Sequence, residues 1–500
     1  MVAVVQFDSV SLGLVESMLA AGRLRCLAEL RARGCWLPLE TPASLLAAAT
    51  YPTLYSGLPA GEHGVYYPFA WSPGRQRVIP PGEVEYPETV WERLARAGRR
   101  SIVVDPSEVP PPRRPVGVFV AGFGFVNRVV LPASSDPHRA YARLSRRLGR
   151  APHVDEVFGR PTLRGLARVR DRLVEAPTRV AAAALELLRD GPCDLLWIAF
   201  PAAHIAGHQL FDLSQLPAGD RARGEELGLT GALPEVYDAV DAAVGSVVAS
   251  LPAEADVILL SPLGMEANAS RVELLHGMVA AVLSEGSNGE EDGGRLWRLR
   301  AALPTGLRAA IAGALPSRAS LELAARLATY GLDWGSTSAF ALPADHHGYV
   351  RVNLRGRERD GIVEPRDLDA LLVALAEGLL SFEDADGARA ASLVERAQAA
   401  FPGRRAGLLP DLVVRWGDPP RPGSAEVRSR RYGVVRQGGG GSGRAGNHTA
   451  DAFAVLVPGS SRMRAGAGAA RIEDIVPTIC SALGVEREGL PGEPLLAPAA

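Results

Sequence analysis

The sequence predicts an α/β protein: a mostly parallel central sheet sandwiched by helices, with an inserted helical cap. Three observations predict it. Short, unbroken apolar runs ending at polar or turn residues recur along the chain, as strands buried on both faces do. Stretches with helical spacing alternate with these runs, the order that builds a parallel sheet. The chain is 500 residues long, 47% hydrophobic and 22% charged, which supplies an ample core. Large α/β folds often run long as one unit, so residues 1–500 are expected to form a single domain, with the cap at 270–335.

The elements follow in order. Val2–Phe7 is an apolar run ending at Asp8 and reads as the first buried strand. A helical stretch follows to about Arg33. Leu45–Tyr55 is rich in Ala and Leu and reads as a helix, broken by the turn signal Ser56-Gly57-Leu58-Pro59. Ser101–Val104 reads as a strand. Thr178–Leu188 reads as a helix, with a strand at Asp194–Phe200 behind it. Pro234–Ser250 is an amphipathic helix and Asp256–Leu260 the strand after it. Gly286–Gly294 is polar and Gly/acid-rich, a surface loop by composition. The residues from about 295 to 335 read as cap helices. Tyr349–Leu354 reads as a strand, Gln437–Gly446 as a Gly/Ser/Arg loop, Ala452–Val457 as a strand and Glu473–Leu483 as the closing helix.

Composition excludes some classes. A formal net charge of −2 gives no global field for nucleic acid or an anionic membrane, so a small-molecule substrate is expected rather than a nucleic acid polymer. All 54 basic residues are Arg, which coding bias explains more simply than selection for phosphate-binding forks. Cys26, Cys35, Cys193 and Cys480 are scattered, which fits a reducing compartment and no disulfide frame. The N-terminal run lacks the features of a signal peptide, and no apolar run reaches the ~18 residues of a membrane helix. A cytoplasmic protein that does not enter a membrane is the expectation; oligomeric state is not legible.

Several segments together resemble the alkaline-phosphatase superfamily, in its type I phosphodiesterase/nucleotide pyrophosphatase branch. They are the strand ending at Asp8, TLYSGLPAGEHGVYYPF at Thr53–Phe69, HIAGH at His204–His208, and LLSPLGM at Leu259–Met265. GYVRVNLRGRERDGIV at Gly348–Val363, GNHTADAFAVLVPG at Gly446–Gly459, and Ile472–Leu495 complete the set. They run nearly the whole chain in the family's order. The resemblance implies an alkaline-phosphatase-like fold and a hydrolase with two metal ions at the C-terminal edge of the sheet.

The same resemblance implies site residues. One metal of the family takes the Asp and His of a D-x-x-G-H segment and a late His. These fall on His204, which replaces the Asp, His208 and His448. The other takes the first-strand Asp, the nucleophile, and the pair in S-D-H-G. Asp8 matches the first, while that pair falls on Pro262 and Leu263, whose side chains bind no metal. An ungapped alignment on Gly57 puts the nucleophile at Ala47. Thr50 heads a T-x-P triplet like the family's but sits three residues nearer the glycine; Ser44 and Thr41 are other nearby hydroxyls. No Cys-x-Pro-x-Arg sulfatase motif is present.

The expected centre is therefore asymmetric: His204, His208 and His448 as ligands of one metal, zinc by chemistry, with Asp8 and Thr50 as catalytic residues. Three imidazoles with an open fourth position make a catalytic zinc set, though imidazole also suits copper, iron or nickel. Taken alone, an H-x-x-x-H pair is a weak signal, and Asp8 reads equally well as a helix cap. His63 reads as a turn former, His346 and His347 as residues of a solvated loop before a contact with substrate, and Asp474 as a cap. Arg351, Arg355 and Arg357 read as a structural or solvated face before an anion site. Three functions compete: a single-metal enzyme acting on a phosphate- or sulfate-type ester or as a Lewis acid on a specialised metabolite, a non-catalytic binding relative, and an ordinary two-metal phosphodiesterase with Thr50 attacking.

Overall fold

The computed structural model describes residues 1–127, 129–154, 156, 161–284, 317–420, 425–437, 442–464 and 470–498. Its centre is a nine-stranded sheet. In spatial order the strands are Ala470–Arg471, Cys35–Glu40, Ala452–Val457, Asp256–Ser261, Val2–Gln6, Leu195–Ala199, Ser101–Val104, Gly117–Ala121 and Ser134–Asp136. The five from Asp256–Ser261 to Gly117–Ala121 are mutually parallel. Ala452–Val457 runs antiparallel to both its neighbours, and Ser134–Asp136 antiparallel to Gly117–Ala121.

The sequence explains why these runs lie in the middle. Val2–Gln6, Leu195–Ala199 and Asp256–Ser261 are buried at every position, so helices must cover both faces. Val4, Trp197, Ile198 and Ile258 are fully buried, each such apolar side chain contributing roughly 1.5–3 kcal/mol. The helices Leu163–Arg189, Ala202–Leu210 and Ala232–Val248 pack on one another, as do Thr50–Ser56 and Ile475–Ala482.

Two expected helices are shorter than their composition suggests, and proline accounts for both. Over Leu45–Tyr55 only Thr50–Ser56 is α-helical, preceded by 3-10 turns at Pro42–Ser44 and Ala47–Ala49. Pro52 lacks an N–H and its ring would strike the carbonyl four residues back, so it tolerates only the helix's first turn. Pro477 does the same to the closing helix, which is Ile475–Ala482 after a 3-10 turn at Ile472–Asp474. Asp474 is a cap there: it accepts from the backbone N–H of Arg471 at 2.8 Å.

A second core lies on a four-stranded antiparallel sheet ordered Ala339–Leu342, Gly348–Val352, Leu412–Trp416, Ala391–Glu395. The helices Val272–Leu283 and Leu368–Leu380 pack there through Leu275, Met278, Leu375 and Leu379. Within 270–335, the described helices are Val272–Leu283 and Ser317–Ala328. The expected loop at Gly286–Gly294 and much of the expected cap lie outside the described residues, as do residues 438–441 of the Gly-rich loop. No helix among the described residues is long and apolar enough to cross a membrane. All four cysteines are free.

Candidate functional site

Asp8 lies two residues past the end of the central strand Val2–Gln6, at the C-terminal edge of the sheet, where α/β proteins place their ligands. Its carboxylate is fully buried and surrounded by donors. Ser107 Oγ donates to Oδ2 at 2.7 Å, the Tyr51 hydroxyl to Oδ1 at 2.9 Å and Gln6 Nε2 to Oδ1 at 3.0 Å. Burial alone would raise its pKa, but His204, Ser107 and Gln6 together hold it below the ordinary carboxylate value. Backbone strain gathers around it: Ser9, Asp105 and Glu108 have φ of 56°, 53° and 53°, in the left-handed region. Such strain costs of order 1 kcal/mol per residue and collects at functional sites.

The next parallel strand, Leu195–Ala199, leads through Phe200-Pro201 into the helix Ala202–Leu210, every residue of which is buried. Spacing of four residues puts His204 and His208 on one face of it. Their Nε2 atoms lie 3.1 Å apart. His448 comes from the short strand Gly446–Thr449, paired antiparallel with Gly264–Ala267 so that His448 faces Met265. Ring centroids of the three histidines lie 4.7 to 4.9 Å apart. One nitrogen from each falls within 4.8 Å of the others.

Hydrogen bonding fixes which nitrogen of two of these rings carries the proton. The Tyr51 hydroxyl donates to Asp8, so its oxygen accepts from His204 Nδ1 at 3.0 Å, with Asp8 Oδ2 at 3.3 Å from the same nitrogen. His208 Nδ1 has the carbonyl of Gly446 at 3.0 Å and donates to it. Both neutral rings then present an Nε2 lone pair, and two lone pairs face each other at 3.1 Å. Such a pair needs a cation or a proton between them. Nitrogens on a tetrahedral zinc stand about 3.3 Å apart, so the geometry fits a metal. The charges say which ring carries the proton when no metal is bound. Burial lowers the pKa of His204, but Asp8 outweighs it and the net shift is upward. Burial, Arg444 and the neighbouring histidines push His208 well below its ordinary value, and burial with His204, His346 and Arg444 does the same to His448.

Among the described residues, His204, His208 and His448 form one buried cluster of candidate ligands. Pro262 and Leu263 occupy the places of the family's second Asp-His pair, and Leu263 is fully buried. Asp8 is committed to Tyr51, Ser107, Gln6 and His204. Thr50 opens the helix Thr50–Ser56; its hydroxyl is buried and has no hydrogen-bond partner. Ala47 lies in a 3-10 turn, Thr41 caps the turn before it, and Ser44 is exposed.

Other expected residues have structural places. His63 Nε2 pairs with Thr53 Oγ1 at 3.0 Å and its Nδ1 accepts from Val65 N, closing the turn. Arg351, fully buried, pairs with Glu358 at 2.7 Å, and Arg357 pairs with Asp411 at 2.6 Å, so neither fork is free for an anion. Arg355 pairs with Glu364 at 2.7 Å. His346 and His347 do approach the centre: the His346 ring lies 6.4 Å from that of His448.

Sequence reasoning missed Tyr51, Ser107, Glu108 and Arg444. Arg444 is buried, pairs with Glu156 at 2.9 Å and Asp345 at 2.9 Å, and depresses the pKa of His208 and His448. Glu108 is half-buried, and loss of solvent pushes it up to about 8 against the pull of His204. Two signals pointed to these residues: Ser107 and Glu108 are polar residues just past a parallel strand, and Tyr51 and Tyr55 share a helix face.

The profile of the type I phosphodiesterase/nucleotide pyrophosphatase family matches residues 2–419. No curated protein matches the sequence significantly. Among solved structures, phosphonoacetate hydrolase from Sinorhizobium meliloti 1021, in complex with phosphonoformate, aligns over 96% of this chain and 95% of its own, at 12% identity and a TM-score of 0.50. Murine ectonucleotide pyrophosphatase/phosphodiesterase 5 aligns over 99% of both chains, at 12% identity and a TM-score of 0.46. At such identity the first likeness speaks for the fold alone, and it agrees with the alkaline-phosphatase-like sheet described above. Because the family profile covers most of the chain, this protein belongs to the type I phosphodiesterase/nucleotide pyrophosphatase family of the alkaline-phosphatase superfamily, a family of hydrolases.

Proposed function

We propose that this protein is a single-metal hydrolase of phosphate-type esters, with zinc held by His204, His208 and His448. The observation that carries the reading is the pair of Nε2 lone pairs facing at 3.1 Å, each fixed by a hydrogen bond on the far side of its ring. A bound zinc supplies Lewis acidity toward a phosphoryl oxygen and lowers the pKa of water. The chain's own residues do the rest. Asp8 and Tyr51 hold the His204 ring in one orientation, and Gly446 does so for His208. Glu108, which interacts electrostatically with His204 and Asp8 and which burial pushes up to about 8, is the proton donor this reading assigns to a leaving oxygen. The four free thiols favour a reducing compartment such as the cytoplasm.

Metal analysis of purified protein tests the reading. About one equivalent of zinc is expected, the occupancy of a single three-ligand site with an open fourth position, and His448→Ala should lose it. A protein that takes up no zinc, or that binds two ions, overturns the proposal. A second reading rests on one observation, the unpartnered hydroxyl of Thr50 at the start of its helix. In it Thr50 attacks and a covalent intermediate forms. Turnover of a nitrophenyl phosphodiester separates the two: the single-metal reading expects Thr50→Ala to keep most of its activity, and the nucleophile reading expects its abolition.

A further inference from the structure

The loop bearing His346 and His347 leaves a buried nitrogen without a partner. His346 Nδ1 makes no hydrogen bond. Leaving such a group unsatisfied costs roughly 1–3 kcal/mol, so it calls for a ligand. The two rings are 3.9 Å apart, and the His346 ring stands 6.4 Å from that of His448.

The loop is built to hold this position. Asn447, the neighbour of His448, donates from Nδ2 to the carbonyl of Asp345 at 2.9 Å. Trp416 Nε1 donates to the carbonyl of His346 at 2.9 Å. Arg444 fixes the Asp345 side chain at 2.9 Å. Asn447 and Arg444 thus tie the loop to the segment that carries His448, and Trp416 ties it to the strand Leu412–Trp416. The His347 ring lies against the backbone of Ala43 and Ser44 and backs its neighbour. His346 is half-buried, so part of it stays accessible to a ligand. At 6.4 Å its ring is farther from His448 than the 4.7 to 4.9 Å spacing within the three-histidine group, which places it beside that group and not in it.

We propose that His346, backed by His347, is a substrate-contacting residue that hydrogen-bonds an oxygen of the oxyanion held at the three-histidine centre. This rests on the metal-site reading above. The oxyanion class is phosphate or phosphonate: a neutral imidazole donates one N–H to a phosphoryl oxygen and adds no charge beside a centre that already holds the cation.

Inorganic phosphate is the probe, titrated by calorimetry into zinc-loaded protein, with zinc affinity measured separately on metal-free protein. His346→Ala is expected to weaken phosphate binding ~10-fold or more, as loss of a hydrogen bond to a charged group implies. His346→Gln, which keeps a donor, should recover most of it. Both variants should bind zinc as the parent does and keep its circular dichroism spectrum. Phosphate affinity unchanged in His346→Ala overturns the inference alone, as does a parent that binds zinc but no phosphate. Zinc lost together with phosphate also overturns it, because His346 would then be a metal ligand. A parent that takes up no zinc overturns the metal reading and this inference with it.

Discussion

Asp8 Oδ2 approaches His204 Nδ1 at 3.3 Å, on the side of the ring away from the nitrogen that faces His208. In the family pattern Asp8 would ligate a second metal. Here Tyr51 and Ser107 donate to that carboxylate, and its Oδ2 faces the imidazole of His204. The carboxylate thus supports the His204 ring. A carboxylate behind a ligating histidine fixes its tautomer and raises its basicity.

Asp8→Asn should therefore keep the fold and weaken zinc about 10- to 100-fold, the usual cost of losing such a support. Competition with a chromophoric chelator reads this directly. Tyr51→Phe removes a neutral hydroxyl from the same network and should cost less than Asp8→Asn. If Asp8→Asn leaves zinc affinity untouched, Asp8 does not act through His204.

The metal-free protein should lose stability as pH falls. His208 and His448 are pushed well below 6.5 by burial, and His347 is pushed down to about 4 by the same cause. Each is bound neutral in the fold, so its stabilisation is present above pH 6.5 and is lost as pH falls below that value. Each group adds at most about 1.4 kcal/mol per pH unit. His204 has the opposite sign: its pKa is raised, so its contribution is full below 6.5 and lost as pH rises. Glu108 and Asp105, pushed up by burial to about 8 and about 7, share the sign of His204, while His346 and His63, the latter pushed down to about 3, join the lowered set; five lowered histidines against three raised groups make stability fall as pH drops below 6.5. Chemical denaturation of chelator-treated protein between pH 6.5 and pH 5 should show the midpoint falling with pH; a flat or rising midpoint in that window contradicts the assignment.

Much of the fold is legible in the sequence, for a definite reason. Strands such as Ser101–Val104 and Ala452–Val457 are buried on both faces and stand out as unbroken apolar runs. The three histidines are weak signals singly, and only collinear resemblance ranked them. What could not be read was the support around them. Beside the hydroxyl of Thr50, it is the adjacent Tyr51 that does the joining, because helix phase turns it toward Asp8 and His204. Phase at a helix that starts after two 3-10 turns is set by tertiary packing, which local pattern does not carry.

Glu108 offers a test in the pH profile of turnover. Its carboxyl, desolvated up to about 8, donates a proton only while protonated. The rate with a nitrophenyl phosphodiester should fall above about pH 8. Glu108→Gln should lower kcat ~100-fold or more, within the usual range for general acid catalysis, and erase that alkaline limb. A limb that persists in Glu108→Gln assigns it to another group.

The last prediction concerns how the two ligand-bearing elements meet. A Cβ built on Gly446 would lie 2.3 Å from the carbonyl oxygen of Gly207 and 2.9 Å from Phe211 Cβ. The strand and the helix therefore touch backbone to backbone, beside His208 and two residues before His448. That closeness lets Gly446 O receive His208 Nδ1 at 3.0 Å and Ala445 N donate to His208 O at 2.8 Å. Carbonyl backbone cannot yield as a flexible side chain does, so Gly446→Ala must push the strand off the helix. Overpacking of this kind costs about 1–3 kcal/mol in stability. It should also carry His448 away from His204 and His208, so zinc affinity should fall by more than in a control such as Gly74→Ala, where a Cβ meets nothing within 4 Å. Thermal melts of metal-free and zinc-loaded protein separate the two effects. The gap between them should shrink in Gly446→Ala and stay at the parent value in Gly74→Ala; an equal gap in both would mean the close approach does not set the metal site.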